Sequence, residues 1–134
     1  MSLKPEPVVG PNMPKTLGPY SQVVRVGELL FVSGQAGLNP ETGNPAGDTF
    51  EAQARQAFRN LSAVLEAAGS SLAHVAKTTI FCADATAFGN LNALYSEFFP
   101  ENPPARSVPI VQLPRGLLIS IECIAVQEPG APND

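Results

Sequence analysis

The sequence predicts an α+β domain, a mixed sheet with two helices packed on one of its faces. Two segments repeat apolar residues at intervals of three and four, as a helix with one buried stripe requires. Runs rich in β-branched and large apolar residues stand before, between and after them. Clusters of Gly, Pro, Asn and Asp separate these segments, and the resulting order is β-β-α-β-α-β-β.

The elements follow in chain order. Residues Met1 to Pro14 carry Pro5, Pro7, Pro11 and Pro14 without periodicity and read as an extended or mobile arm. The tail from Glu128 to Asp134 reads the same way, which leaves one folded body from about Lys15 to Gln127 in a single domain of 134 residues. The runs G-P-Y-S-Q-V-V-R-V and L-L-F-V-S-G-Q flank Gly27-Glu28, the pattern of a tight II′ hairpin. Ser33-Gly34 ends the second strand, where a glycine permits close backbone approach. The turn formers of L-N-P-E-T-G-N-P-A-G-D predict a surface loop.

Asp48 and Glu51 have capping-box spacing, and the stripe Phe50, Ala54, Ala57, Phe58, Leu61, Val64, Leu65 and Ala68 runs to a C-terminal glycine, Gly69. A strand V-A-K-T-T-I-F-C-A follows. A second amphipathic segment, from about Thr86 to Phe99, carries Phe88, Leu91, Leu94, Tyr95, Phe98 and Phe99 on its stripe and stops at Pro100. Asn92 borders that stripe, either with a partner for its amide or in water at the edge. Arg106 to Leu113 reads as extended, Pro114-Arg115-Gly116 as a turn, and Leu117 to Val126 as the last strand. Along it Glu122 shares a face with Leu118, Ser120, Ile124 and Val126, while Ile119, Ile121, Cys123 and Ala125 point the other way. Helices on one face leave the other needing cover, so association with other copies is expected.

Composition narrows the function. A net charge of −4 with no run of Lys or Arg argues against a surface that neutralises phosphates, hence against nucleic acid. No signal peptide core or membrane span is present, and a cytoplasmic protein without a membrane partner is expected. Cys82 and Cys123 fall inside strand-like runs and read as free buried thiols. With His74 as the single histidine, in a short link, a transition-metal site is not expected.

Two charged residues break the burial pattern. Glu122 lies inside L-L-I-S-I-E-C-I-A-V, where a carboxylate either faces solvent or lines a polar site. Arg106 follows a Pro-Pro pair and offers a planar fork of donors that matches a small carboxylate.

The motifs G-P-Y-S-Q (Gly18 to Gln22), L-F-V-S-G-Q (Leu30 to Gln35), N-P-E-T-G (Asn39 to Gly43), E-A-A-G-S-S-L (Glu66 to Leu72), Y-S-E-F-F (Tyr95 to Phe99), P-P-A-R-S (Pro103 to Ser107) and I-E-C-I-A-V (Ile121 to Val126) occur in order. Over roughly Leu17 to Val126 the chain resembles the reactive-intermediate deaminases, the YjgF-type or liver perchloric-acid-soluble protein family. The resemblance implies a chorismate-mutase-like fold, assembled as a homotrimer with ligand clefts between subunits. It further implies hydrolysis of 2-imino acids, such as 2-iminopropanoate and 2-iminobutanoate, to 2-oxo acids and ammonia, with no metal or organic cofactor. Arg106 matches the arginine that binds the substrate carboxylate, and Glu122 the glutamate that orients or activates water. Tyr20, Ser33 and Asn92 match cleft residues, and backbone near Gly34 and Val108 matches ligand contacts.

Those roles suit the chemistry. An imine carbon is already electrophilic, so fixing the substrate and placing water suffice. Two departures stand out: Val108 occupies a position often held by cysteine or threonine, and V-P-I-V-Q-L-P is one residue short, with Pro109 removing a strand hydrogen bond. The rival readings are a non-catalytic module that senses 2-oxo acids and an endoribonuclease, the latter disfavoured by the acidic chain.

Overall fold

The computed structural model describes residues 3–128, so most of the expected tail, residues 129–134, lies outside the described residues. Six strands form one sheet in the order β1-β2-β3-β6-β4-β5: β1 Glu6–Pro7, β2 Val23–Val26, β3 Leu29–Ala36, β4 Val75–Cys82, β5 Ala105–Ser107 and β6 Ile119–Val126. All pairs are antiparallel except β4 with β5, so the sheet is mixed as expected. Helices α1, Phe50–Ala67, and α2, Phe88–Phe98, pack on one face.

The last strand, paired on both edges by β3 and β4, alternates as a strand with one covered face must: Ile119, Ile121, Cys123 and Ala125 are buried under the helices, and Glu122 and Val126 are exposed on the open face. The expected stripe of α1 is buried throughout. Phe58 stacks on Phe98 at 4.8 Å between centroids and meets Tyr95 and Phe99 edge-on, which locks α2 against α1. Gly27 adopts φ +60°, as the first position of a II′ turn requires. Gly69, at φ +81°, follows the Ala68 C-cap of α1.

Six expectations need correction. Ser33-Gly34 does not end the second strand, which runs on to Ala36. The arm is not wholly free of structure, since Glu6–Pro7 pairs with β2 at the sheet edge, a place that tolerates proline. The cap of α1 is Thr49, whose Oγ1 accepts from Ala52 N at 3.1 Å, so Asp48 lies one residue too early for a capping box with Glu51. Residues 85–87 form a 3-10 turn capped by Asp84, and α2 therefore starts at Phe88. That ring remains 39% exposed, outside the buried stripe. Finally, the extended run from Arg106 to Leu113 is a strand only as far as Ser107. Pro109 lacks an N–H, and pairing resumes beyond it through Cys82 N to the Pro109 carbonyl and Val111 N to the Cys82 carbonyl.

Candidate functional site

Glu122 sits opposite a defect in the sheet. Strand β3 pairs Val32 with Cys123 and then Gln35 with Ile121, so two residues, Ser33 and Gly34, face the single residue Glu122. This is a β-bulge, a device that re-aims backbone and side chains. A Cβ at Gly34 would lie 2.7 Å from Ser120 Oγ, so only glycine fits there without displacing that hydroxyl. On its other side Glu122 is in register with Thr79 of β4. The bulge is anchored from the segment before β2: Ser33 N donates to the Gln22 carbonyl at 2.9 Å, and Ser33 Oγ donates to the Ser21 carbonyl at 2.7 Å.

Tyr20 directly precedes that anchor. It is 47% exposed, and its hydroxyl accepts from Leu17 N at 3.3 Å within a tight turn. A groove of about 300 Å³ runs beside it, lined by the arm from Pro7 to Gly10 and by Met13, Thr16 and Gln22 among others.

Arg106 occupies the opposite edge of the sheet. Its register partner in β4 is Thr78, which is fully buried beneath the helices, so Arg106 leans to the helix side. Its guanidinium lies 4.9 Å from the Tyr95 ring centroid and donates from Nη2 to Asn92 Oδ1 at 2.6 Å. The Tyr95 hydroxyl shares a 2.8 Å hydrogen bond with Thr78 Oγ1. Burial raises the Tyr95 pKa, opposed by the Thr78 bond and by the Arg106 charge. The amide of Asn92 thus has the partner its place beside the stripe calls for. Val108, half-buried, packs against the core two residues further on.

The sequence-derived residues therefore fall into two groups within one chain. Tyr20, Ser33, Gly34 and Glu122 gather around the bulge, whereas Arg106, Asn92 and Val108 gather at the β5 edge. From β6, which carries Glu122, to β5 is two inter-strand spacings, about 10 Å, and Glu122 lies on the open face whereas Arg106 leans to the helix side. A three- or four-carbon acid cannot reach both groups through the sheet. Sequence reasoning missed Tyr95 and Thr78 as the support of Arg106, and Gln22 and Gln35 beneath the bulge. Polar residues in extended runs carry no sign that they are buried in pairs.

Cys82 and Cys123 are free and buried as expected. Burial, with a smaller contribution from the Glu122 charge, pushes the Cys123 thiol up to about 12, which keeps it protonated and unreactive. No group of His, Cys, Asp and Glu suited to a metal occurs among the described residues, and no helix among them is long and apolar enough to cross a membrane.

The endoribonuclease L-PSP family profile matches residues 10–127. A RutC family protein of Pyrococcus horikoshii is 43% identical over 118 residues, covering 87% of this chain and 94% of its own length. A mouse protein named 2-iminobutanoate/2-iminopropanoate deaminase is 42% identical over 117 residues, 87% of each chain. Among solved structures, a putative endoribonuclease L-PSP from Entamoeba histolytica superposes with a TM-score of 0.84 at 43% identity, covering 92% of this chain and 99% of that one.

Proposed function

From the premise that this chain belongs to the endoribonuclease L-PSP family, that of the YjgF/RidA-type proteins, we propose that it hydrolyses small 2-imino acids to 2-oxo acids and ammonia. The observation that carries this reading is the mounted guanidinium of Arg106. Asn92 and the Tyr95 ring hold it at a sheet edge with its remaining donors free of any described protein partner.

In this reading Arg106 binds the substrate carboxylate through two parallel hydrogen bonds. Glu122 accepts a proton from water as the water oxygen bonds to the imine carbon and the C=N π pair moves to nitrogen. The same carboxyl returns its proton to that nitrogen. The carbinolamine then collapses: its hydroxyl proton passes to the amine nitrogen, the C–N bond breaks, and ammonia leaves as the carbonyl forms. Backbone at Gly34 and near Val108, with Tyr20, Ser33 and Asn92, borders the substrate. The step calls for neither metal nor organic cofactor.

Because Glu122 and Arg106 lie on opposite faces of the sheet, the arrangement favours a cleft built from two copies of the chain: Arg106 from one and the bulge from its neighbour. The open sheet face gives a reason for the copies to meet, and a homotrimer with three such clefts satisfies both.

The test is a coupled assay in which a threonine dehydratase generates the imine in amine-free buffer and 2-oxobutanoate formation is followed. Wild-type protein accelerates release, and Arg106→Ala abolishes the acceleration. A folded, associated wild type that accelerates nothing while still binding 2-oxobutanoate would instead identify a sensing module.

A further inference from the structure

Between the bulge and the Tyr20 turn lies a pair of buried amides that no step of the proposed reaction uses. Gln22 and Gln35 are each 8% exposed. Gln35 Nε2 donates to Gln22 Oε1 at 2.8 Å and to the Ser33 carbonyl at 3.1 Å. Gln22 Nε2 donates in turn to the carbonyls of Pro14 at 3.4 Å and Lys15 at 3.3 Å. The orientation of both amides is forced, because backbone carbonyls only accept and each must be met by an NH₂ group.

Register puts Gln35 opposite Ile121 on the helix side of the sheet, so the pair lies beneath the bulge while Gly34 is exposed. A bulge interrupts the ladder that would otherwise hold its residues. Here the amide relay, together with the bonds from Ser33 to Ser21 and Gln22, replaces that ladder and ties Pro14–Lys15, Ser21–Gln22 and Ser33 to one another. Tyr20 is enclosed within the tied stretch.

We propose that Gln35, acting through Gln22, is a positioning residue that locks the Ser33–Gly34 bulge and the Tyr20 turn into one unit and so fixes the backbone beside Glu122. The catalytic part of this proposal rests on the deaminase reading; the locking rests on the hydrogen bonds alone. Glutamine is required because two donors must meet two acceptors. Methionine, similar in length, offers none, and an ionised glutamate would set an acceptor oxygen against the two acceptors, Gln22 Oε1 and the Ser33 carbonyl.

The test uses Gln35→Met, Gln22→Met, their double variant and Gln35→Glu. Turnover is followed in the imine assay, amide chemical shifts are read at Tyr20, Ser21, Ser33 and Gly34, and thermal unfolding verifies that each protein is folded at the assay temperature. In folded Gln35→Met, kcat/KM falls roughly 10- to 100-fold, and the shifts at Tyr20 and Gly34 move together. The double variant is no worse than the worse single one, since the pair acts as a single device. For Gln35→Glu, the ratio of its kcat/KM to that of wild type recovers as pH falls, because the protonated carboxyl regains one donor; a merely structural defect has no such signature.

Wild-type kinetics in folded Gln35→Met, additive losses in the double variant, or shifts confined to residues 33–35 would each overturn the proposal. If wild type hydrolyses no imine, the deaminase reading fails and the shifts decide the locking by themselves. Joint movement of Tyr20 and Gly34 upholds it, and independent movement refutes it. If Gln35→Met does not fold, Gln22→Met and the pH series on Gln35→Glu carry the same comparison.

Discussion

Arg106 stands over an aromatic face whose hydroxyl is occupied from behind, and each atom of that arrangement has a separable consequence. Tyr95→Phe keeps the ring beneath the guanidinium but leaves the Thr78 hydroxyl buried without a partner. The expected cost is about 1–3 kcal/mol in urea unfolding, with turnover largely retained. Combining it with Thr78→Val removes both polar groups and is expected to cost less than the sum of the single changes; strict additivity would count against the bond. Cys123 has a counterpart in alkaline stability. Its folded pKa is raised above the unfolded value, so its contribution is complete below about pH 9 and is lost as pH rises toward about 12. Cys123→Ala should therefore show a shallower decline of stability across that window, and an identical decline would rule the thiol out as its source.

At the scale of elements, α1 approaches the chain leaving β3 so closely that a side chain at Gly37 would overlap the backbone of Gln53. Gly37→Ala is expected to destabilise by about 1–3 kcal/mol through a forced shift of the helix. An unchanged urea midpoint would mean that the contact is slack. Gln53 has a further task, donating to the carbonyls of Gly47 and Gly116 and accepting from Leu118 N, which pins α1 to the turn before β6.

Much of this was legible in the residues. The stripe of α1, the alternation of β6 and the glycine of the first hairpin follow from periodicity and backbone sterics, which are local. The amides of Gln22, Gln35 and Gln53 were not, because their burial depends on backbone groups up to 65 positions away. The bulge opposite Glu122 was equally hidden, since one extra residue in a strand leaves no trace until the partner strand is known. The short strand Glu6–Pro7 was lost among prolines that argue against pairing anywhere except at an edge.

For the whole molecule, the open face of the sheet is the dominant feature. Leu29, Phe31 and Val126 remain 43%, 40% and 39% exposed, and the register brings Leu29 beside Val126 and Phe31 beside Ile124. An apolar patch of this kind on a sheet invites a partner of the same kind. Sedimentation should give about three times 14.0 kDa for wild type, and Phe31→Glu should lower both mass and turnover. A fully active monomer would defeat the two-copy cleft. The acidic chain should also pass heparin at low salt without retention, in contrast to a phosphate-binding enzyme. The order of strands carries a last consequence, one that belongs to genetics as much as to structure. With Arg106 and the bulge on opposite sides of the sheet, a lesion in one need not share a cleft with a lesion in the other. Co-refolded Arg106→Ala and Gly34→Val chains, each inactive alone, should regain activity in roughly a quarter of their clefts. Two dead alleles would then complement inside a single oligomer, as they cannot if every cleft is built from one chain.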